Sequence, residues 1–144
     1  MNQKNSMVLK IPSLSENESF SRVVVGAFAA RLNPTIEEIA DIKTAVSEAV
    51  TNCIVHAYKG RGGYIEIRAY IDKRSITIEI SDLGRGIEDV EQARQPFFST
   101  VGGEERSGMG FTVMETFMDS VNVISEVGKG TTVIMRKDIG EDAQ

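Results

Sequence analysis

The sequence predicts a two-layer α/β sandwich, a mixed but mostly antiparallel sheet with helices packed on one face. Two observations point there. From Tyr64 to Ser81, apolar and polar residues alternate on both sides of an Asp72-Lys73-Arg74 turn, as expected of a hairpin with one dry and one wet face. Ahead of it, two long segments carry apolar residues at helical spacing, each opening on a Ser/Thr-x-x-Glu capping pattern. Strands that alternate are not buried on both sides, which argues against a doubly wound nucleotide fold.

Taken in order, Met7 to Pro12 reads as a short edge strand ended by proline. Ser15 and Glu18 form the first capping box. They open a helix whose apolar side is expected to hold Phe20, Val23, Val24, Ala27, Phe28 and Leu32, with Arg22 among the polar positions. Asn33-Pro34 breaks it, and Thr35 with Glu38 starts a second helix running to about Tyr58. The hairpin follows, with Ile65, Ile67, Ala69, Ile71, Ile76, Ile78 and Ile80 inward. A short helix near Glu88 to Ala93 precedes an aperiodic loop from Gln95 to Ser107, long enough to be functional. Gly108-Met109-Gly110 leads into a helix to about Met118. Strands from Val121 to Val127 and from Thr131 to Lys137 close the chain, and Gly140 to Gln144 reads as a frayed end.

The 144 residues suit one domain, residues 1–144, and neither a repeat nor a linker divides them. A net charge of -5 excludes a broad electrostatic grip on nucleic acid. No eighteen-residue apolar run occurs and the first residues are polar, so a membrane span is not expected. Cys53, the single cysteine, fits a reducing, cytoplasmic setting and a place in the core, pointing away from the helix's polar line. Histidines and cysteines are too few for a zinc site.

Four segments carry candidate chemistry. Glu48, Asn52 and His56 stand four apart and share one helix face. Asn52 offers one oxygen to a magnesium ion that takes its other ligands from water and phosphate, and Glu48 offers a proton acceptor. Taken alone, Glu-x-x-x-Asn is also an ordinary solvated helix face. Asp82-x-Gly84-x-Gly86 ends a strand, where Asp82 can accept from an amine of a base and the glycines admit close approach; it reads equally as a plain turn. Ser107-Gly108-Met109-Gly110 opens a helix, presenting free N–H groups to an anion beside the charge of Arg106. Gly130-Thr131-Thr132 opens the last strand and is the weakest of the four. Neither a dinucleotide fingerprint nor a P-loop occurs.

The order of these four boxes resembles the Bergerat-fold ATPases, the GHKL superfamily of gyrase, heat-shock-90, histidine-kinase and MutL type, over nearly the whole chain. A closer likeness lies in Ser47-Glu48-Ala49-Val50-Thr51-Asn52, His56-Ala57-Tyr58, Arg94-Gln95-Pro96-Phe97-Phe98 and Arg106-Ser107-Gly108-Met109-Gly110-Phe111. These are similar to the anti-sigma-factor serine kinases of spore-forming bacteria. Ser15 to Phe20 and the short length point to the sporulation branch directed at sigma F, with the stress-response branch directed at sigma B as the alternative.

The resemblance implies ATP or ADP as nucleotide and Mg²⁺ held by Asn52, with Glu48 as general base. Asp82 would take the adenine amine, Gly84 and Gly86 shape its pocket, and Thr131 support the base through water. Ser107, Gly108 and Gly110 would hold phosphates and Arg106 approach the terminal one, under a lid from about Gln95 to Ser107. Arg22 would contact the protein partners, which are a sigma factor and an anti-anti-sigma factor phosphorylated on serine. A homodimer is expected, without direct nucleic-acid contact. Two alternatives are a nucleotide-gated sigma-binding module without physiological kinase activity and the detached catalytic domain of a histidine kinase.

Overall fold

A computed structural model describes residues 4–58, 62–84, 86–87, 89–94 and 106–140. The chain runs β1 (Asn5–Pro12), α1 (Glu16–Ala29), a 3₁₀ turn (Ala30–Leu32), α2 (Ile36–Asn52), a π-helical turn (Cys53–Ala57), β2 (Tyr64–Asp72), β3 (Ser75–Asp82), α3 (Val90–Ala93), α4 (Arg106–Phe117), β4 (Ser120–Glu126) and β5 (Gly130–Asp138). The five strands form one sheet in the order β1-β2-β3-β5-β4, every neighbouring pair antiparallel. The two-layer sandwich read from the alternation is what the chain forms.

The period of two decides the layers. Ile65, Ile67 and Ala69 of β2, Ile76, Ile78 and Ile80 of β3, and Val133 and Met135 of β5 are buried on the helix side. Each buried isoleucine is worth about 1.5–3 kcal/mol in transfer free energy. Glu66, Tyr70, Thr77, Glu79 and Ile134 alternate with them and stay partly accessible on the other face. From above, α2 supplies Ile42, Ala45, Val46, Ala49 and Val50, all buried, and lies between α1 and α4. Among the described residues, no helix is long and apolar enough to cross a membrane.

Two helix details depart from expectation. In α1 the buried stripe is Ser21, Val25, Gly26, Phe28, Ala29 and Leu32, whereas Phe20 is 47% and Val23 62% exposed. The helix is rolled by about one residue, roughly 100°, from the side chosen by bulk. An almost wholly apolar run leaves that roll open, and small residues settle it by letting α1 lie close to α2. A Cβ on Gly26 would stand 2.5 Å from Lys43 Cε. Ser21 keeps its hydroxyl satisfied by donating to Asn17 O at 2.7 Å. The second departure is Ser15, which is already helical, with φ -53° and ψ -37°, and makes no side-chain cap. Its backbone oxygen accepts from Glu18 N–H at 3.1 Å instead, so Ser15 and Glu18 form no box.

The Thr35 box does form. Thr35 Oγ1 accepts from Glu38 N–H at 3.0 Å and Glu38 Oε1 accepts from Thr35 N–H at 2.9 Å. The other carboxylate oxygen of Glu38 accepts from Gly140 N–H at 3.0 Å, tying the end of the last strand to the start of α2. Arg74 completes this clasp by donating to Leu32 O at 2.7 Å and Gly140 O at 2.6 Å. Gly140 is therefore pinned, while residues 141–144 of the expected frayed end lie outside the described residues.

Bonds from the Gly140 and Thr35 N–H groups hold the Glu38 carboxyl below its ordinary range. A lowered native pKa means that Glu38 stabilises the fold above the ordinary glutamate range and loses that contribution as pH falls through the lowered value. Glu38→Ala is expected to cost about 1–2 kcal/mol near neutral pH, read by urea unfolding, with the difference from the parent protein closing in acid.

Candidate functional site

The polar line of α2 meets the glycine-rich start of α4. Glu48 and Asn52 are half-buried, and the backbone of Gly110 lies directly over them. A Cβ built on Gly110 would stand 3.1 Å from Asn52 Nδ2, 3.2 Å from Asn52 Oδ1 and 3.4 Å from Glu48 Oε2. Two boxes far apart in sequence are thus one place. Both amide atoms of Asn52 are buried with no hydrogen-bond partner among the described residues. An orphaned buried polar group costs about 1–3 kcal/mol, and a single unpartnered oxygen is what magnesium asks of a protein that leaves its other positions to water and phosphate. The donor set fits that ion. No cluster of three His, Cys, Asp or Glu residues that would hold a metal by itself occurs among the described residues.

The helix α4 begins at Arg106, so Ser107, Gly108 and Gly110 lie inside its first turns rather than in front of it. Their N–H groups belong to the helix end where orphan donors gather. The side chains of Arg106, Ser107 and Met109 are not described, and residues 95–105 of the expected lid lie outside the described residues.

Asp82 forms the second part of the site. It continues the parity of Ile76, Ile78 and Ile80, so it points under the helices and is 7% exposed. Gly84 N–H donates to its Oδ1 at 2.9 Å. The Thr131 N–H and the Cys53 thiol also bond to the carboxylate; burial outweighs these three donors and pushes its pKa up. The thiol is the surprise. Cys53 is a core residue, as expected, but it faces Asp82, and burial with this carboxylate beside it raises its own pKa well above the ordinary thiol value.

Backbone packs closely around Asp82. A Cβ on Gly84 would sit 2.5 Å from Ala57 O. Gly86 (φ +78°) would press on Glu126 O, and Gly130 (φ +117°) on Asp82 O. Thr131 is buried, and its hydroxyl lies 2.7 Å from Ser125 Oγ. Ser125 in turn accepts from Ile87 N–H at 2.7 Å and reaches Gly130 O at 3.1 Å, sewing the Asp82 loop to β4 and β5.

The end of α2 differs from the expected continuous helix. It turns π-helical after Asn52, and Tyr58 N–H closes on Cys53 O at 3.1 Å. His56 is buried within that turn. Tyr58 carries its hydroxyl to Leu83 N–H and Tyr64 O, both at 2.7 Å. Cys53 and Tyr58 join the site only through tertiary packing: their place beside Asp82 depends on strand β3 crossing beneath the π turn. Arg22 lies elsewhere, half-exposed on α1 and paired with Glu18 at 3.3 Å, without a bond to any of these residues.

Residues 11–137 match the histidine kinase-like ATPase domain. Over 142 residues the chain is 64% identical to an anti-sigma F factor of Caldanaerobacter subterraneus subsp. tengcongensis, covering 99% of each chain. It is 56% identical to the anti-sigma F factor of Clostridium acetobutylicum over 134 residues, 93% of this chain and 94% of that one. The chain belongs to the anti-sigma F factor family of histidine kinase-like ATPases. Solved structures agree on the fold. The RsbU and RsbW domains of Rv1364c from Mycobacterium tuberculosis superpose with a TM-score of 0.69 at 18% identity, over 97% of this chain and 33% of that one. The catalytic domain of histidine kinase ThkA gives 0.59 at 16% identity, over 92% and 98%. In this anti-sigma F family member, then, the four boxes expected from sequence fall on two adjoining clusters, Glu48-Asn52-Gly110 and Asp82-Gly84-Thr131.

Gly130 and Gly128 both have positive φ, but a Cβ on Gly128 (φ +83°) would meet nothing within 4 Å. Gly130→Ala is therefore expected to cost about 2–4 kcal/mol and Gly128→Ala only about 1 kcal/mol, in urea unfolding of the two variants.

Proposed function

We propose that this chain is an ATP-dependent protein-serine kinase that also binds and inhibits sigma F. The observation that carries the proposal is the contact of Gly110 with Glu48 and Asn52, which sets a carboxylate and an orphaned amide at a helix N-terminus suited to phosphates. Asp82, buried and accepting, suits the amine of adenine. Magnesium, bound through Asn52, would offset charge on the phosphates. Glu48 accepts the proton of the substrate serine as its oxygen bonds to the terminal phosphorus and the bond to the ADP oxygen breaks. Arg106, at the start of α4, is assigned to the terminal phosphate, and Ser107, Gly108 and Gly110 to the phosphate chain. Thr131 is assigned to the base. The serine belongs to an anti-anti-sigma factor.

The names of relatives at 52–64% identity favour sigma F over sigma B. Arg22 is assigned to the protein partners, and its side-chain exposure of 43% supports that role. The free edge of β1 and the exposed Phe20 and Val23 of α1 are surfaces suited to the homodimer. A cytoplasmic site of action follows from a sigma factor as target.

Glu48→Gln is expected to bind ATP nearly as the parent does and to transfer phosphate about 10²–10⁴-fold more slowly, in an assay of labelled ATP with the anti-anti-sigma factor. A normal rate would remove Glu48 from the role of base. Adenine recognition requires Asp82 ionised, and its pKa lies above the ordinary aspartate value. ATP affinity is therefore expected to fall on acidification at a pH above the usual aspartate range of about 3.9, measured by calorimetry across a pH series.

A further inference from the structure

The turn between Asp82 and Gly84 holds the carboxylate assigned to the base, yet its own side chain gives it little support. Leu83 is 82% exposed. Besides its contacts with Gly130 and Thr131, the turn is held at three further points. Gly84 N–H closes on Asp82 Oδ1 at 2.9 Å. Gly84 packs against the carbonyl of Ala57, where a Cβ would stand only 2.5 Å from the oxygen. Leu83 N–H donates to the hydroxyl of Tyr58 at 2.7 Å. Two of the three points belong to the π turn after α2 and the residue that caps it, and the same turn supplies the Cys53 thiol to Asp82.

Tyr58 is itself held from both ends. Its N–H closes the π turn on Cys53 O, and its hydroxyl donates to Tyr64 O at 2.7 Å while accepting from Leu83. Its ring occupies the space that a side chain at residue 63 would need, since a Cβ on Gly63 would fall 2.5 Å from ring Cε1. Burial raises the phenol's pKa and keeps its proton available to Tyr64. One hydroxyl thus bridges the first residue of β2 and the residue after β3, at a height set by the helix that also carries Glu48 and Asn52.

We propose that Tyr58 is a positioning residue for base selection: by holding the backbone of Leu83 it sets the Asp82 carboxylate at the place where it meets the exocyclic amine of adenine. The proposal rests on the assignment of Asp82 to that amine. It predicts a loss of selectivity rather than a uniform loss of binding, because the phosphate end of the site, at Asn52 and Gly110, does not depend on the Tyr58 hydroxyl.

The test compares Kd for ATP with Kd for purine riboside 5′-triphosphate, which lacks the amine, by calorimetry on the full chain. The parent protein is expected to prefer ATP. Tyr58→Phe keeps the ring against Gly63 and removes the bridge, and is expected to shrink that preference about tenfold, the worth of roughly one hydrogen bond. Thermal unfolding of each variant checks that it is folded. Gly84→Ala, which presses the same turn away from Ala57 while leaving Tyr58 intact, is expected to shrink the ratio too. An unchanged ratio in folded Tyr58→Phe, whether or not both affinities fall together, overturns the role of Tyr58 alone. A parent protein with no preference for ATP overturns the assignment of Asp82 and this proposal with it.

Discussion

The close approach of α4 to α2 is the contact on which the site depends. Gly110 lets one helix lie within about a van der Waals distance of the other's polar line, and any Cβ there would press on Asn52 at 3.1–3.2 Å. Helices usually meet through apolar ridges. Here the contact is backbone against a carboxamide and a carboxylate, with Val46, Ala49, Val50 and Phe111 buried around it to carry the packing free energy. The apolar surroundings make the polar pair costly, since the Asn52 amide is desolvated without a partner among the described residues. That cost is what the proposed magnesium ion would relieve.

A second expense lies at Asp82. The strand parity that buries Ile76, Ile78 and Ile80 also buries a carboxylate at the strand's end. Gly84, Thr131 and Cys53 donate to it, but burial wins and its pKa stays raised. A clasp lies at the opposite end of α2. There the Glu38 carboxylate and the Arg74 guanidinium bind α2, the 3₁₀ turn and the last strand together through charge-assisted bonds to backbone. α2 spans the two ends, so the clasp and the site share one rigid element.

Much of the architecture was legible because it rests on periods. The alternation of Ile65 to Ile80 placed the hairpin and its dry face, and the Thr35-Glu38 pattern placed the start of α2. The roll of α1 was not legible, because Phe20, Val23 and Val24 compete with Val25, Phe28 and Ala29 in an almost continuous apolar run. Packing against α2 at the small buried residues Ser21, Gly26 and Ala29, not hydrophobicity, chose among them. The Ser15 box failed for a related reason: its residues match the pattern, but the chain leaves Pro12 already turning, so Ser15 is helical before it can cap.

By itself the sequence determined the layers, the hairpin and the glycine boxes, while Glu48, Asn52, Asp82 and Thr131 stood out only through the order of those boxes and the family resemblance it carries. The layers and the hairpin follow from local spacing alone. Only the tertiary structure decided that Gly110 faces Asn52, that Cys53 faces Asp82, and that Tyr58 reaches Leu83. Each of those meetings joins residues on different elements, and their distances depend on how α2, its π turn and the sheet are rotated against one another. No period along a single segment encodes that rotation.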